Sequence, residues 1–509
     1  MKKLKNTYIN IAAALITFLV QIFISFWLSP FLVNQLGEEA YGFVNLANNF
    51  VSYASLVTVA VNSMACRYIS VEYNSGRIDE AKKYFSSVFF VNTFLYCLII
   101  IVSIIFVGRI EMFINVSPTL IRQVKLTFLL SFINMGTSMI GTVYTAAAFT
   151  HNKMHYSSLV QVVANVIKSI FVYLLFMLLP AKVYYLILAT LLAGIVTLFG
   201  NYKVTKLLFK EFNISLKLFD FKKIVTLISS GFWVLISNIS NLLLNGFDLL
   251  LSNWFISAAM MGRLSLAKQI PYAISSGLGV FANIFSSSLT KTYASNTKEG
   301  LVSEAKLQLR ILTIFFTVPF AGIIAFGNDF LRLWLSDSVY TPYEVREIYF
   351  LMNIILIDII VSAYMYSIHS LFIAIDRVKS YSIVLFVSSV ISIFLTVLLL
   401  KFTSIGVYAI AGTSTLILGV AHAIIVPAMI AKMLNIPIYT FWVCEMKSWG
   451  LLAIITLGYL GIGKFFTINT WSVFFSLVLC LAILGYGVSV FIMLTKRERE
   501  SFFAIIKNK

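Results

Sequence analysis

Fourteen stretches of this sequence are apolar for long enough to cross a lipid bilayer, and no segment between them exceeds about 20 residues. They read at roughly 8–33, 41–66, 84–107, 122–149, 157–179, 182–202, 223–251, 258–289, 306–326, 346–375, 381–401, 405–431, 447–465 and 471–495. In hydrocarbon every backbone polar group must be satisfied within its own segment, so stretches of this length are helices. The fold class is an all-α polytopic membrane protein. Composition agrees: 60% of residues are hydrophobic, 11% are charged, and mean hydropathy is +0.94. That balance excludes a soluble globular domain.

The net charge is +18. In a soluble chain this would suggest nucleic acid, but here Lys and Arg gather in alternate connections. With the N-terminus inside, 27 of the 38 basic residues are cytoplasmic, 8 are external, and Lys168, Arg263 and Lys268 lie within spans. The positive-inside rule then places both termini in the cytoplasm. The first apolar run is too long for a signal peptide. The loops leave no room for a catalytic domain or an ATPase, and none carries a glycine-rich phosphate cradle. The four Cys read as small apolar residues, and the four His form no metal motif. No cofactor, metal or nucleic-acid partner is expected.

The chain repeats itself. With an offset of 220, Tyr41-Gly42-Phe43-Val44-Asn45-Leu46-Ala47 aligns with Met261-Gly262-Arg263-Leu264-Ser265-Leu266-Ala267. After a four-residue insertion, Glu80-Ala81-Lys82 aligns with Glu304-Ala305-Lys306, and Asn134, Ser138 and Thr145 align with Asp358, Ser362 and His369. Six helices per copy is an even number, so the copies are parallel. The expected organisation is an N-lobe at 1–202, a basic linker at 203–222, a C-lobe at 223–432, and two extra helices with a basic tail at 433–509.

Polar stripes recur at matched positions. One face of the seventh span carries Ser230, Ser237, Asn241, Asn245 and Asp248. The eighth carries Ser265, Lys268, Tyr272, Ser275, Gly279 and Ser286. Their counterparts near the N-terminus include Thr17, Gln21, Ser25, Asn45, Asn48, Ser52 and Ser55. A single stripe would serve as helix–helix glue. Four matched stripes point to a shared aqueous cavity. Lys268 lies about 15 Å along its helix, too deep to snorkel, and Pro271 is expected to kink that helix nearby.

Lys168 shares a face with Gln161 and Asn165. Arg263 stands near the outer end of its span, as does Asp248. Asp358 lies about 18 Å into the tenth span, and it, Asp248 and His369 are candidates for ion coupling; His422, like His369, is a packing residue or a proton carrier. Arg67 marks the cytoplasmic mouth.

The N-terminal layout adds a resemblance. A span ending Trp27-Leu28-Ser29-Pro30 is followed by Leu36-Gly37-Glu38-Glu39-Ala40-Tyr41-Gly42, and Ala374-Ile375-Asp376-Arg377 comes later. With the 6+6 repeat plus two helices, this resembles the polysaccharide transporter branch of the multidrug/oligosaccharidyl-lipid/polysaccharide exporter superfamily. The resemblance implies a Wzx-like flippase for undecaprenyl-diphosphate-linked oligosaccharide, of the O-antigen or capsule type, in the bacterial cytoplasmic membrane. A polysaccharide polymerase and chain-length proteins are the implied partners. Lipid II flippases and cation-coupled drug exporters of the superfamily are the alternatives. A membrane-embedded polymerase or glycosyltransferase would need a long external catalytic loop, which is not seen.

Overall fold

The structure, a computed structural model, describes residues 2–494 apart from 296–297, 336–338 and 376. Sequence readings at the Ser286 side chain, at Asp376 and in the tail from residue 495 lie outside what the structure describes.

Among the described residues there are fourteen long helices and no strand. The first repeat comprises α1 Lys2–Leu36, α2 Glu38–Asn74, α3 Ile78–Gly108, α4 Ile121–Thr150, α5 Met154–Leu178 and α6 Tyr185–Leu208. The second comprises α7 Phe221–Phe255, α8 Ala258–Ser295, α9 Lys298–Trp334, α10 Pro342–Ala374, α11 Val378–Phe402 and α12 Val407–Leu434. Last come α13 Tyr439–Gly463 and α14 Trp471–Met493. Thirteen of these are long and apolar enough to span a membrane among the described residues.

Several helices run past their apolar stretches. α2 continues to Asn74, which is exposed at its end, and Glu72, half-buried, accepts a bond from Arg77 there. Three irregularities interrupt the spans. α4 tightens into a 3-10 turn at Thr142–Tyr144, α7 is broken at Gly246, and α12 opens into a π turn at Ala421–Ile425.

The repeat is visible in the packing. α3 packs on α4, α4 on α6 and α5 on α6; correspondingly α9 packs on α10, α10 on α12 and α11 on α12. α13 and α14 both dock on α9. The chain divides into compact units Met1–Ser265 and Leu266–Lys509, so α7 and the first turns of α8 pack with α1–α6.

Within the first unit α7 runs along α2. Tyr68 meets Ser230 at 2.8 Å, and Gly246 O accepts from Asn49 Nδ2 at 2.9 Å and Tyr53 at 2.6 Å. Gly231 permits the close approach, since a Cβ there would lie 2.0 Å from Ala60 O. Such backbone proximity is how helices associate without a hydrophobic driving force.

A buried core of Ile69, Phe85, Val88, Val143 and Leu227 closes one end of this unit. The basic segment 203–222 belongs to it. Phe209 and Phe212 stack at 4.1 Å within that core, Asp220 N donates to Ser87 Oγ at 2.8 Å, and Asp220 caps α7. At the opposite end, Asn115 and Asn253 exchange three amide bonds of 2.8–2.9 Å, and Trp254 Nε1 donates to Phe113 O at 2.6 Å. The second unit has its own core of Leu301, Leu309, Ile368, Phe372, Ile430 and Phe441.

Candidate functional site

The first unit presents two polar faces in its membrane spans. On α1 and α5, Thr17 Oγ1 donates to Ser158 O at 3.3 Å, and Trp27 meets Tyr173 at 6.1 Å. Gln21 lies between the first pair and the second on α1, and Lys168 lies between them on α5. Gln21 is exposed, while Gln161, Asn165 and Lys168 are half-buried. Asn165 Nδ2 is buried without a hydrogen-bond partner, and among the described residues Lys168 has no ion-pair partner.

On α2 and α7, Asn48, Asn241 and Asn245 are exposed beside the Asn49–Gly246 contact. Ser52 is half-buried and donates to Asn48 O at 3.0 Å.

Arg263 is engaged. Its Nε stands 3.0 Å from Glu38 Oε2 and its Nη2 3.3 Å from Glu38 Oε1. The sequence places Asp248 near the same outer end as Arg263, but the partner of the guanidinium is Glu38. Glu38 opens α2, and sequence spacing cannot show that α8 begins beside it. Asp248 is buried in the turn after Gly246, near Tyr53. Arg67 is exposed on α2.

In the second unit Lys268 is buried, with its Nζ 5.2 Å from the centre of the Tyr272 ring. Burial against an aromatic face offsets part of the desolvation of the ammonium. Tyr272 is half-buried and Ser275 exposed one turn on. Lys268, Tyr272 and Ser275 thus share one face of α8, and the helix runs unbroken through Pro271.

A second polar group lies between α10, α11 and α12. His422, in the π turn, has Nδ1 3.0 Å from Ser362 Oγ and 3.7 Å from Asp358 Oδ1. Its Nε2 is 3.4 Å from the Tyr381 hydroxyl, and the Tyr381 ring lies 4.4 Å from that of His369. Asp358 and His369 are therefore joined through His422 and Tyr381. A π turn re-aims one side chain and leaves no mark in the periodicity, so the sequence does not show that His422 meets Asp358. Among the described residues no group of His, Cys, Asp and Glu has the geometry for a metal ion.

Comparison with known proteins places this arrangement. The chain is 19% identical to the lipid II flippase MurJ in an inward closed conformation, covering 94% of this chain and 97% of that one, with a TM-score of 0.68. It is 14% identical to an inward-facing multidrug resistance MATE family transporter of the MOP superfamily, covering 87% and 98%, also with a TM-score of 0.68. These likenesses show a shared fold. The chain is 27% identical over 427 residues to the uncharacterized membrane protein EpsK of Bacillus subtilis (strain 168), 83% of each chain. Residues 4–285, more than half of the chain, match the family described as "Polysaccharide biosynthesis protein". This multi-pass membrane chain belongs to the polysaccharide biosynthesis protein family.

Proposed function

We propose that this protein is a flippase that carries polyprenyl-diphosphate-linked oligosaccharide repeat units across the bacterial cytoplasmic membrane for O-antigen or capsule synthesis. It works by alternating access, with the repeats at 1–202 and 223–432 as its moving lobes and both termini in the cytoplasm. It transports and does not transform its substrate. A polymerase and chain-length proteins act on the product.

The observation that supports this most is Lys168, a cation inside a membrane span with no ion-pair partner among the described residues, set beside amides. A diphosphate cannot enter hydrocarbon bare, and a cation waiting for an anion supplies what its transfer lacks. Gln21, Asn48, Ser52, Asn241, Asn245 and Ser275 suit sugar hydroxyls. Lys268, over Tyr272, offers a second positive charge, and Arg263 a third beside its pairing with Glu38. Arg67 meets the diphosphate as it enters. A carrier of cationic drugs would need carboxylates where these cations and amides stand.

The test is appearance of finished polysaccharide at the cell surface, compared at equal membrane abundance. Lys168→Arg and Lys268→Arg are expected to retain export, the Ala variants to lose most of it, and the Glu variants to lose all. Full export by both Lys168→Glu and Lys268→Glu would refute a diphosphate site.

A further inference from the structure

The polar group of the second unit is not part of the cationic faces assigned to substrate. We propose that His422 and Asp358 form a proton-binding site, with Tyr381 and His369 as the relay beside it, and that its occupancy drives the transport cycle. This rests on the transport reading above.

Four observations carry it. First, the pair is not tuned as a structural ion pair. At 3.7 Å the His422 Nδ1–Asp358 Oδ1 separation exceeds a hydrogen bond, and Asp358 Oδ1 is buried with no hydrogen-bond partner. A proton added to that carboxyl or to the imidazole would satisfy the unmet group. Second, His422 sits in the π turn of α12, a feature that costs regular helical bonding and clusters at functional sites.

Third, the internal repeat supplies a control. Asp358 and His369 occupy the places held by Asn134 and Thr145 in the first copy. The same helix packing therefore forms with neutral side chains, and the ionisable ones are not needed to build it. Fourth, the chemistry favours a proton over an alkali or alkaline-earth cation. Hard cations need a shell of oxygen ligands, whereas here one carboxylate is surrounded by imidazole nitrogens and phenols.

The groups facing the pair are Ser362, Tyr366 and His369 from α10 and Tyr381 from α11. On another face of α10, Tyr364 meets Thr317 of α9 and Trp449 of α13, with Glu445 behind Trp449. The site takes one proton from the aqueous phase on one side and releases it to the other. Deprotonated, the pair is a carboxylate beside neutral imidazole. The one proton it takes converts it to a carboxylate beside imidazolium or a neutral acid beside neutral imidazole, a single proton shared by the pair.

The test uses the full chain in proteoliposomes, titrated from about pH 5 to about pH 8 by infrared spectroscopy without substrate. The chain has four His, so single His→Gln variants assign the imidazole bands. Wild type is expected to show a linked imidazole and carboxyl titration. His422→Gln removes the imidazole component and shifts the carboxyl one, while Asp358→Asn removes the carboxyl one. Unfolding temperatures identify any variant that fails to fold, and His369→Gln, one step further from the pair, then serves as the second probe.

In cells, collapsing the pH gradient is expected to slow wild-type export about tenfold and to leave His422→Gln at its own lower rate. Identical titrations in wild type and His422→Gln, or the same spectral change on adding sodium at fixed pH, would overturn the proposal. If the titration holds but surface polysaccharide does not depend on the protein, the proton site stands and the flippase reading falls.

Discussion

Gly42 and Gly262 hold equivalent places in the two copies of the repeat, and they touch. A Cβ on Gly42 would come within 3.0 Å of Gly262 Cα, and one on Gly262 would lie 2.1 Å from Glu38 O. The starts of α2 and α8 therefore pack backbone against backbone. Neither contact leaves room for a methyl group, but the obstacles differ. Gly42 also faces the flexible end of Met261, whereas Gly262 faces only α2 at Glu38. Gly262→Ala is expected to lower stability by ~1–3 kcal/mol and Gly42→Ala by less, because overpacking against backbone cannot relax. Gly279→Ala, with nothing within 4 Å of its added Cβ, is the neutral control. Thermal unfolding of the purified protein ranks the three, and equal midpoints would remove the contact.

Arg263 and Glu38 fasten the same junction. Their two-pronged pair is partly exposed, at 17% and 20%. Removing either partner is expected to cost ~1–2 kcal/mol, less than a fully buried pair. The exchange Glu38→Arg with Arg263→Glu should recover part of that loss. A double-mutant cycle on unfolding midpoints measures the coupling, and additive losses would show that the pair contributes nothing.

The exposed amides give a labelling experiment. Cysteines at Asn48 and Ser275 are expected to react with membrane-impermeant thiol reagents in a background lacking Cys66, Cys97, Cys444 and Cys480. A cysteine at Ile104, exposed on an apolar face of α3, should stay unreactive because lipid covers it. Equal protection at all three positions would mean that the polar faces are dry.

Topology is checked separately. Tags at the N-terminus, within 203–222 and at the C-terminus should report cytoplasm, and a tag within 327–345 the external side. The motive is the 27-to-8 division of basic residues. An external 203–222 segment would invalidate the orientation and the parallel repeat together.

What the sequence determined by itself follows from the solvent. A bilayer tolerates only helices of a set length, so span number, helical class and repeat could be read from apolar runs and loop charge. The polar stripes were legible for the same reason, since any hydrophilic residue in a span stands out. Tertiary structure decided the partners. It gave Arg263 to Glu38, left Lys168 without an ion-pair partner among the described residues, and drew His422 to Asp358 through a π turn. Periodicity fixes which face a residue occupies on its own helix. It carries no record of which neighbour that face meets, because in lipid the choice rests on close backbone approach and hydrogen bonding at single positions such as Gly231 and Gly262.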